Sequence, residues 1–386
     1  MRALLLVGCL TFSACVRQST PPRSPSAATV PPSQVVLSRV VVTPEATRGL
    51  DELFAEAEAA ERAGQFTQAA SKFRRVFELE PRGSRAPEAL FRSASNGDEA
   101  GAFDRALGDY QDFYRSFPKH ERATAALVRM ARLLVFREQW ARAGEAADIL
   151  LSRLETLTEL ARVATYSAKA LALLAHDDDE RAAYFVEKGL QVLEALNLDA
   201  AGKLPRDAAG LYFALGEVRR VRAERIHFNP VPANFGQALE QRCQLLLDAQ
   251  SAYSSTMRAY DAHWSAMAGY RVGELYHSLH QELMQVPPPK AATDERRARL
   301  FEGAMRFRYS VLLQKAQAMM QHTVGMAERT GENSEWVARA RAAREALLGD
   351  VKKEEAAIDR LGFTRVELQA ALDRLAEKAA RESPRP

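Results

Sequence analysis

A six-residue motif that recurs at a period of 37 residues restricts the fold of this chain more than any other feature. Its copies occupy residues 64–69, 101–106 and 138–143. Each copy has an aromatic residue two positions after its start and an alanine three positions later, and apolar residues then continue at helical spacing. A fixed period of this length predicts an array of stacked helical hairpins.

The residue types of the motif suit the turn and the contact between two paired helices. Glycine tolerates the positive φ that ends a first helix, and alanine lets the second helix approach closely. The aromatic residue is expected to wedge between the two helices. Pro81 and Pro118 end the second helices, because proline cannot continue the hydrogen-bond ladder. The predicted repeat-packing residues are Gly64, Phe66, Ala69, Gly101, Phe103, Ala106, Trp140 and Ala143.

This spacing resembles the tetratricopeptide repeat (TPR). The resemblance implies an all-α fold, namely a right-handed α-solenoid of helical hairpins that forms a TPR-like superhelix. The first two copies follow the pattern, whereas the third has Glu138 in place of glycine and Glu155 where proline is expected. We assign residues 45–198 to TPR-like repeats and residues 199–386 to a divergent helical-hairpin continuation of the same solenoid.

The second half of the chain keeps the rhythm of helical hairpins without the motif. Apolar periodicity predicts helices over residues 211–225, 237–260, 263–285, 300–329 and 335–358. A capping box that runs from Thr364 to Glu367 opens one more helix. We therefore expect a single continuous array and not two separate domains.

The first fifteen residues have the pattern of a bacterial export signal. Arg2 precedes an apolar run over residues 3–11, and small residues precede a cysteine. The sequence Phe12-Ser13-Ala14-Cys15 resembles the lipobox of bacterial lipoproteins, which implies a signal peptide over residues 1–15 and acylation of Cys15, for example with palmitate. Cys9 fits the same local pattern, but it would leave an apolar region of about five residues, below the usual ~7–15. A plain secretory signal is the alternative.

Residues 16–44 are rich in proline and serine and are predicted to be a tether between the lipid and the folded body. Within them, the apolar residues 35–42 are expected either to pack against the first helix or to add to the sheet edge of a partner. Removal of Cys9 and acylation of Cys15 leave Cys243 alone, so we expect no intramolecular disulfide.

The sequence offers little that indicates chemistry. A net charge of +3 does not predict binding to nucleic acid, and the common nucleophile and phosphate-binding motifs are absent from the sequence. Glu274, His277 and His280 share a drifting helix face, but they lack the His-x-x-x-His spacing of a metal site. We therefore predict that the protein is not an enzyme and binds no cofactor and no metal. The acyl group is expected to be its only membrane attachment, because no other segment approaches the ~20 apolar residues of a spanning helix.

The 37-residue period and the linkers after Pro81 and Pro118 resemble the repeats of bacterial envelope lipoproteins. Examples are the repeat lipoprotein of the outer-membrane β-barrel assembly machinery and repeat proteins associated with Tol-Pal. The resemblance implies a lipid-anchored outer-membrane protein that faces the periplasm and acts as a non-catalytic scaffold for envelope proteins or peptide segments. Two alternatives are a structural component of a gliding-motility or secretion machine and an accessory subunit of an envelope enzyme.

In such superhelices the first helices of successive hairpins line the groove that holds the partner. Glu58 and Arg62 also have the spacing of an i,i+4 ion pair, which is the purely structural interpretation of both. The arginines on these helices favour a partner with acidic character. The candidate partner-binding residues are Glu58, Arg62, Arg92, Asn96, Arg129 and Arg132.

Overall fold

The computed structural model describes residues 44–198, 202–288 and 294–382, with side chains described from residue 49 to residue 374. The compact body of the protein begins at Gly49. The predicted signal peptide, the lipidation site Cys15 and the tether up to residue 43 lie outside the described residues. The apolar segment 35–42 also lies outside them, so its predicted contacts stay predictions.

Fourteen α-helices make up most of the described part of the chain, in which no β-strand occurs. They are α1 (Pro44–Arg62), α2 (Phe66–Leu79), α3 (Ala86–Glu99), α4 (Phe103–Ser116), α5 (Ala123–Phe136), α6 (Trp140–Leu151), α7 (Glu159–Leu174), α8 (Asp179–Ala195), α9 (Arg206–Glu224), α10 (Phe235–Met257), α11 (Ala262–Met284), α12 (Glu295–Thr330), α13 (Glu335–Arg360) and α14 (Arg365–Glu382). A short 3-10 turn, Leu154–Thr156, separates α6 from α7.

Helices that follow each other in sequence pack together, and the first helices of neighbouring hairpins also contact one another. The contacts of α5 with α7, of α7 with α9 and of α9 with α11 are of this second kind. Short connections between packed neighbours make the hairpins antiparallel. The predicted all-α solenoid of helical hairpins is thereby confirmed, and the helices of the second half begin and end within five residues of their predicted limits.

The turn between the two helices of a hairpin has the same backbone conformation in four successive hairpins. The residue that ends the first helix has a positive φ, which is 72° at Gly64, 71° at Gly101, 55° at Glu138 and 58° at Asp177. Only glycine adopts this left-handed region without steric cost. The period of the motif therefore reflects a repeated turn, and the third and fourth hairpins keep that turn without glycine.

The alanines of the motif lie at the closest contact between paired helices. Ala69, Ala106 and Ala143 are fully buried. A Cβ atom added to Gly97 of α3 would lie 3.3 Å from the Cβ atom of Ala106, so the two helix backbones are already in near contact. The aromatic residues of the motif, which are Phe66, Phe103 and Trp140, are only half-buried. The fully buried aromatic side chains of the same second helices are Phe73, Tyr110 and Phe113.

The second half of the chain packs back onto the end of α5. The ring centroids of Phe136, at the end of α5, and His263, in α11, are 4.1 Å apart. The indole Nε1 of Trp336, in α13, donates a hydrogen bond of 2.5 Å to the carboxylate of Glu138. Glu138 stands at the positive-φ turn position, where glycine would be free of steric cost. Its side chain accepts the hydrogen bond from Trp336, which a glycine could not do.

Four helices of the second half, α10 to α13, are longer than any helix of the repeats, at 23 to 36 residues. The 36-residue helix α12 packs against α11, α13 and α14. Thr364 and Glu367 form the predicted capping box, since each side chain hydrogen-bonds the backbone amide of the other. Within the described residues, no helix combines the length and the apolar character needed to cross a membrane.

Candidate functional site

The first helices of successive hairpins, α1, α3, α5, α7 and α9, follow one another through helix contacts or ion pairs, and all six candidate partner-binding residues lie on α1, α3 and α5. We call these five helices the first-helix row. Ion pairs join α1 to α3 and α3 to α5: Arg122 of α5, for example, lies 3.0 Å from Glu88 of α3. The row places polar side chains of three consecutive hairpins next to each other.

Three of the six candidates form one cluster between α1 and α3. The guanidinium of Arg92 donates to Glu58 at 2.7 Å and also pairs with Glu61. The amide of Asn96 donates to Glu61 at 2.6 Å. Arg62 remains exposed at the end of α1, so Glu58 pairs with the neighbouring hairpin and not with the residue four positions later in its own helix.

Ion pairs and hydrogen bonds among its own residues hold this cluster together. Burial raises the pKa of Glu61, but the hydrogen bonds from Arg92 and Asn96 outweigh it, and the pKa is lowered overall. The Arg92 guanidinium also stacks over the ring of Phe73, 4.5 Å from its centroid. Glu58, Arg92 and Asn96 are therefore committed to contacts within the chain, whereas Arg62 is available to a partner.

The other two candidates, Arg129 and Arg132, lie on α5 and line a cavity of about 240 Å³. Arg132 donates both of its parallel N–H groups to Asp207 of α9, at 2.8 and 2.7 Å. Such a bidentate pair is among the stronger polar contacts that a protein makes. Arg129 is half exposed, and its nearest guanidinium nitrogen lies 3.7 Å from the carboxylate of Asp98.

The cavity wall also contains residues that the sequence did not single out. Asp98 of α3 is mostly buried, and burial raises its pKa, an effect that Arg129 only partly offsets. Phe136 and Trp264 give apolar surface, and Arg206 stacks over Phe136, 5.2 Å from the ring centroid. Asp207, Arg206 and Trp264 belong to α9 and α11, which the motif does not cover, so no pattern in the sequence connects them to α5.

A second, more open depression lies between α4, α5 and α6, on the other side of the hairpins. Tyr114, Met130 and Ile149 line it together with Arg142. Ile149 is 36% exposed, which is high for an isoleucine.

Four acidic and histidine side chains lie close together in the sequence of α11, but they do not converge on one point. They are Glu274, His277, His280 and Glu282. Glu274 pairs with Arg271 at 2.6 Å, and Glu282 pairs with Arg242 at 2.8 Å. His277 and His280 face Asp350 and Glu354 of α13, each at 3.8 Å. Among the residues that the structure describes, no group of three or more His, Cys, Asp or Glu side chains is close enough to hold a metal ion.

Comparison with known proteins gives similarity in structure and none in sequence. No family profile and no curated protein sequence matches the chain. A TPR protein from Parabacteroides merdae is 10% identical over 78% of this chain and 99% of its own, with a TM-score of 0.43. The TPR domain of P58(IPK) is 14% identical over 88% of this chain and 100% of its own, with a TM-score of 0.26.

A third solved structure, the TPR2AB domain of yeast Sti1 in complex with pHSP90, is 14% identical over 81% of this chain and 99% of its own, with a TM-score of 0.20. All three neighbours are TPR proteins. The description of this chain as a TPR-like solenoid rests on its own hairpins, their shared turn and the buried alanines between their helices.

Proposed function

We propose that this protein is a non-catalytic interaction scaffold that binds a segment of a partner protein along the first-helix row. One observation carries the proposal: helices of consecutive hairpins lie side by side and present charged side chains from α1 to α9. Hairpins that pack on their neighbours hold such a surface in place before a partner arrives, and this lowers the ordering cost of binding.

The exposed charge on this row favours a partner with acidic character. Arg62 is exposed, and Arg129 is half exposed with one long contact to Asp98. Arg92 is not suited to this role, because Glu58 and Glu61 already neutralise it. Exposed charges of this kind govern the rate and the salt dependence of association more than its final affinity.

Crosslinking in intact cells tests which surface binds the partner. A photo-crosslinking amino acid at position 62 should capture a partner, whereas the same group at position 149, in the depression on the other side, should capture about tenfold less. The pair Arg62→Glu and Arg129→Gln should lower recovery of the partner by about tenfold, equivalent to ~1.4 kcal/mol. Efficient capture from position 149 alone would move the recognition surface to α4 and α6.

We further propose that the scaffold is an outer-membrane lipoprotein that faces the periplasm, where it belongs to a complex of envelope proteins. The lipobox-like residues up to Cys15 and the tether that follows them support this location. Val16, the residue after the modified cysteine, is not the aspartate that marks retention in the inner membrane of some bacteria.

Replacement of Cys15 by alanine should release the protein from the membrane fraction or leave it uncleaved. The reason is that one acyl anchor would supply the membrane affinity, and the remaining sequence offers no second strong attachment. Detergent phase partitioning and fractionation of the envelope measure the release of the Cys15→Ala protein from the membrane, with Cys9→Ala as the matched control. Retention of a cleaved Cys15→Ala protein in the membrane fraction would contradict the anchor, and cofractionation of the unaltered protein with the inner membrane would contradict the proposed sorting.

A further inference from the structure

The cavity beside α5 has features that binding of a protein segment to the surface does not require. Helices α3, α4, α5, α7, α9 and α11 all contribute to its wall, and residues far apart in sequence meet there. At Gly210 the wall is closely packed, because an added Cβ atom would lie 2.6 Å from the hydroxyl oxygen of Ser167. A glycine at this position therefore lets α9 approach Ser167 of α7 closely.

Ser167 gives the cavity a polar group without a partner. The residue is only 3% exposed, it lines the cavity, and its hydroxyl makes no hydrogen bond within the protein. An unpaired buried hydroxyl costs free energy, so most buried hydroxyls in proteins are hydrogen-bonded. A hydroxyl both donates and accepts, and it can therefore satisfy either charge of a bound molecule.

The ion pairs of the cavity wall are tight with one exception. Arg132 is bound by Asp207 at 2.7 Å, and Arg206 is bound by Asp261 at 2.8 Å. Arg129 and Asp98 remain 3.7 Å apart, which is too long for a hydrogen bond. These two groups, one basic and one acidic, are the charged positions at which a ligand can gain contacts without breaking a tight pair.

The rest of the wall is apolar and the space is small. Phe103 and Phe136 meet edge to face with centroids 4.9 Å apart, and Trp264 lines the same cavity. A volume of about 240 Å³ is below the ~300–1,000 Å³ of pockets for drug-sized ligands. It corresponds to about eight water molecules at ~30 Å³ each, which limits the ligand to a small molecule.

We propose that this cavity binds a free α-amino acid with an apolar side chain. The ammonium group of the ligand pairs with Asp98, its carboxylate pairs with Arg129, and its side chain lies against Phe103, Phe136 and Trp264. The Ser167 hydroxyl supplies a further hydrogen bond to one of the two charged groups. The site shares Arg129 with the proposed partner-binding surface of the first-helix row, whereas Asp98 and Ser167 have a role only in the cavity.

A ligand with both charges fits better than one with either charge alone. An anion would compete for Arg129 and leave Asp98 buried without a cation, which is costly. A cation would meet Asp98 but would also lie close to Arg129, Arg132 and Arg206. A zwitterion replaces the loose contact between Asp98 and Arg129 with two closer ones and leaves the net charge of the cavity unchanged.

Calorimetric titration of the full chain with three related probes tests this assignment. L-Phenylalanine should bind one site per chain with a dissociation constant of about 1 mM or tighter, as expected for about twelve non-hydrogen atoms. Phenethylamine, which lacks the carboxylate, and 3-phenylpropionate, which lacks the ammonium group, should each bind at least about tenfold more weakly, because each loses one charged hydrogen-bonded contact. This series uses the unaltered protein, so it decides the question even where variants fail to fold.

Variants then locate the site. Asp98→Asn and Arg129→Gln should each weaken L-phenylalanine binding at least about tenfold, while the exposed control variants Asp104→Asn and Arg115→Gln should leave it unchanged. Absence of saturation by L-phenylalanine, L-leucine and L-methionine up to about 10 mM would overturn the proposal. Equal binding of phenethylamine and L-phenylalanine would also overturn it, since the site would then recognise a cation alone.

Discussion

Replacement of Glu217 by alanine is expected to lower the free energy of unfolding by about 3–5 kcal/mol, the usual cost of breaking a buried ion pair. Glu217 of α9 is buried and accepts a hydrogen bond from Arg220 at 2.9 Å and one from the hydroxyl of Tyr253 at 2.6 Å. The Nε atom of Arg271 lies 3.0 Å away without hydrogen-bond alignment. The variant would take the acceptor of the Tyr253 hydroxyl away and leave Arg220 and Arg271 with only their more exposed partners, Glu224 and Glu274.

Urea denaturation of Glu217→Ala measures this loss, and Glu224→Ala is the matched control. Glu224 also pairs with Arg220, at 2.6 Å, but its side chain is more exposed, so its removal should cost only about 1 kcal/mol or less. Equal losses in the two variants would contradict a special role for the buried carboxylate.

The pH dependence of the same variant has a defined sign. Burial raises the pKa of Glu217, but Arg271 and Arg220 outweigh this effect and lower the pKa below its ordinary value of about 4.5. A lowered pKa in the folded state stabilises the protein at pH values above 4.5, and this contribution is lost as the pH falls through the folded-state pKa. The difference between the unaltered protein and Glu217→Ala should therefore shrink in acid.

The second large effect is expected for Phe113→Ala in α4, which should cost about 3–5 kcal/mol through the cavity that it creates. Phe113 is fully buried and packs against Phe91 and Phe117, with ring centroids 5.5 and 5.6 Å away. Its loss should also loosen the neighbouring hairpins, because each hairpin is stabilised by contacts with the next.

Phe103→Ala, at the start of the same helix, is the matched control for this prediction. Phe103 is half-buried, so its truncation should cost roughly half as much, in proportion to the apolar area removed from contact. Denaturation midpoints and hydrogen exchange of the two variants give the comparison. A larger loss for Phe103→Ala than for Phe113→Ala would mean that the motif aromatic, and not the core aromatic, holds the hairpins together.

The repeat motif predicted the hairpins and their turns, but the aromatic residues that it singled out in the second helices are not the most buried ones. It singled out Phe66 and Phe103 because they recur at a fixed spacing after the glycine, whereas Phe73 and Phe113 carry more of the core. Recurrence marks the turn, which must repeat for the hairpins to stack. Burial depends in addition on which face of each helix meets its neighbour.

Most of the candidate site could not be predicted from the sequence. Arg129 and Arg132 were identified as groove residues, but their acidic partners Asp98 and Asp207 were not. The bond between Arg132 and Asp207 joins residues 75 positions apart, and that between Glu138 and Trp336 joins residues 198 apart. Neither pair belongs to a period or a motif.

The sequence by itself determined the all-α class, the 37-residue hairpin unit and the limits of the helices, since all of these follow from interactions between residues a few positions apart. The tertiary structure decided which charges neutralise each other and that α11 and α13 pack back onto α5 and its turn. It also decided that a cavity opens between six helices. Such contacts depend on the accumulated rotation from each hairpin to the next, and small differences in packing at every step set that rotation.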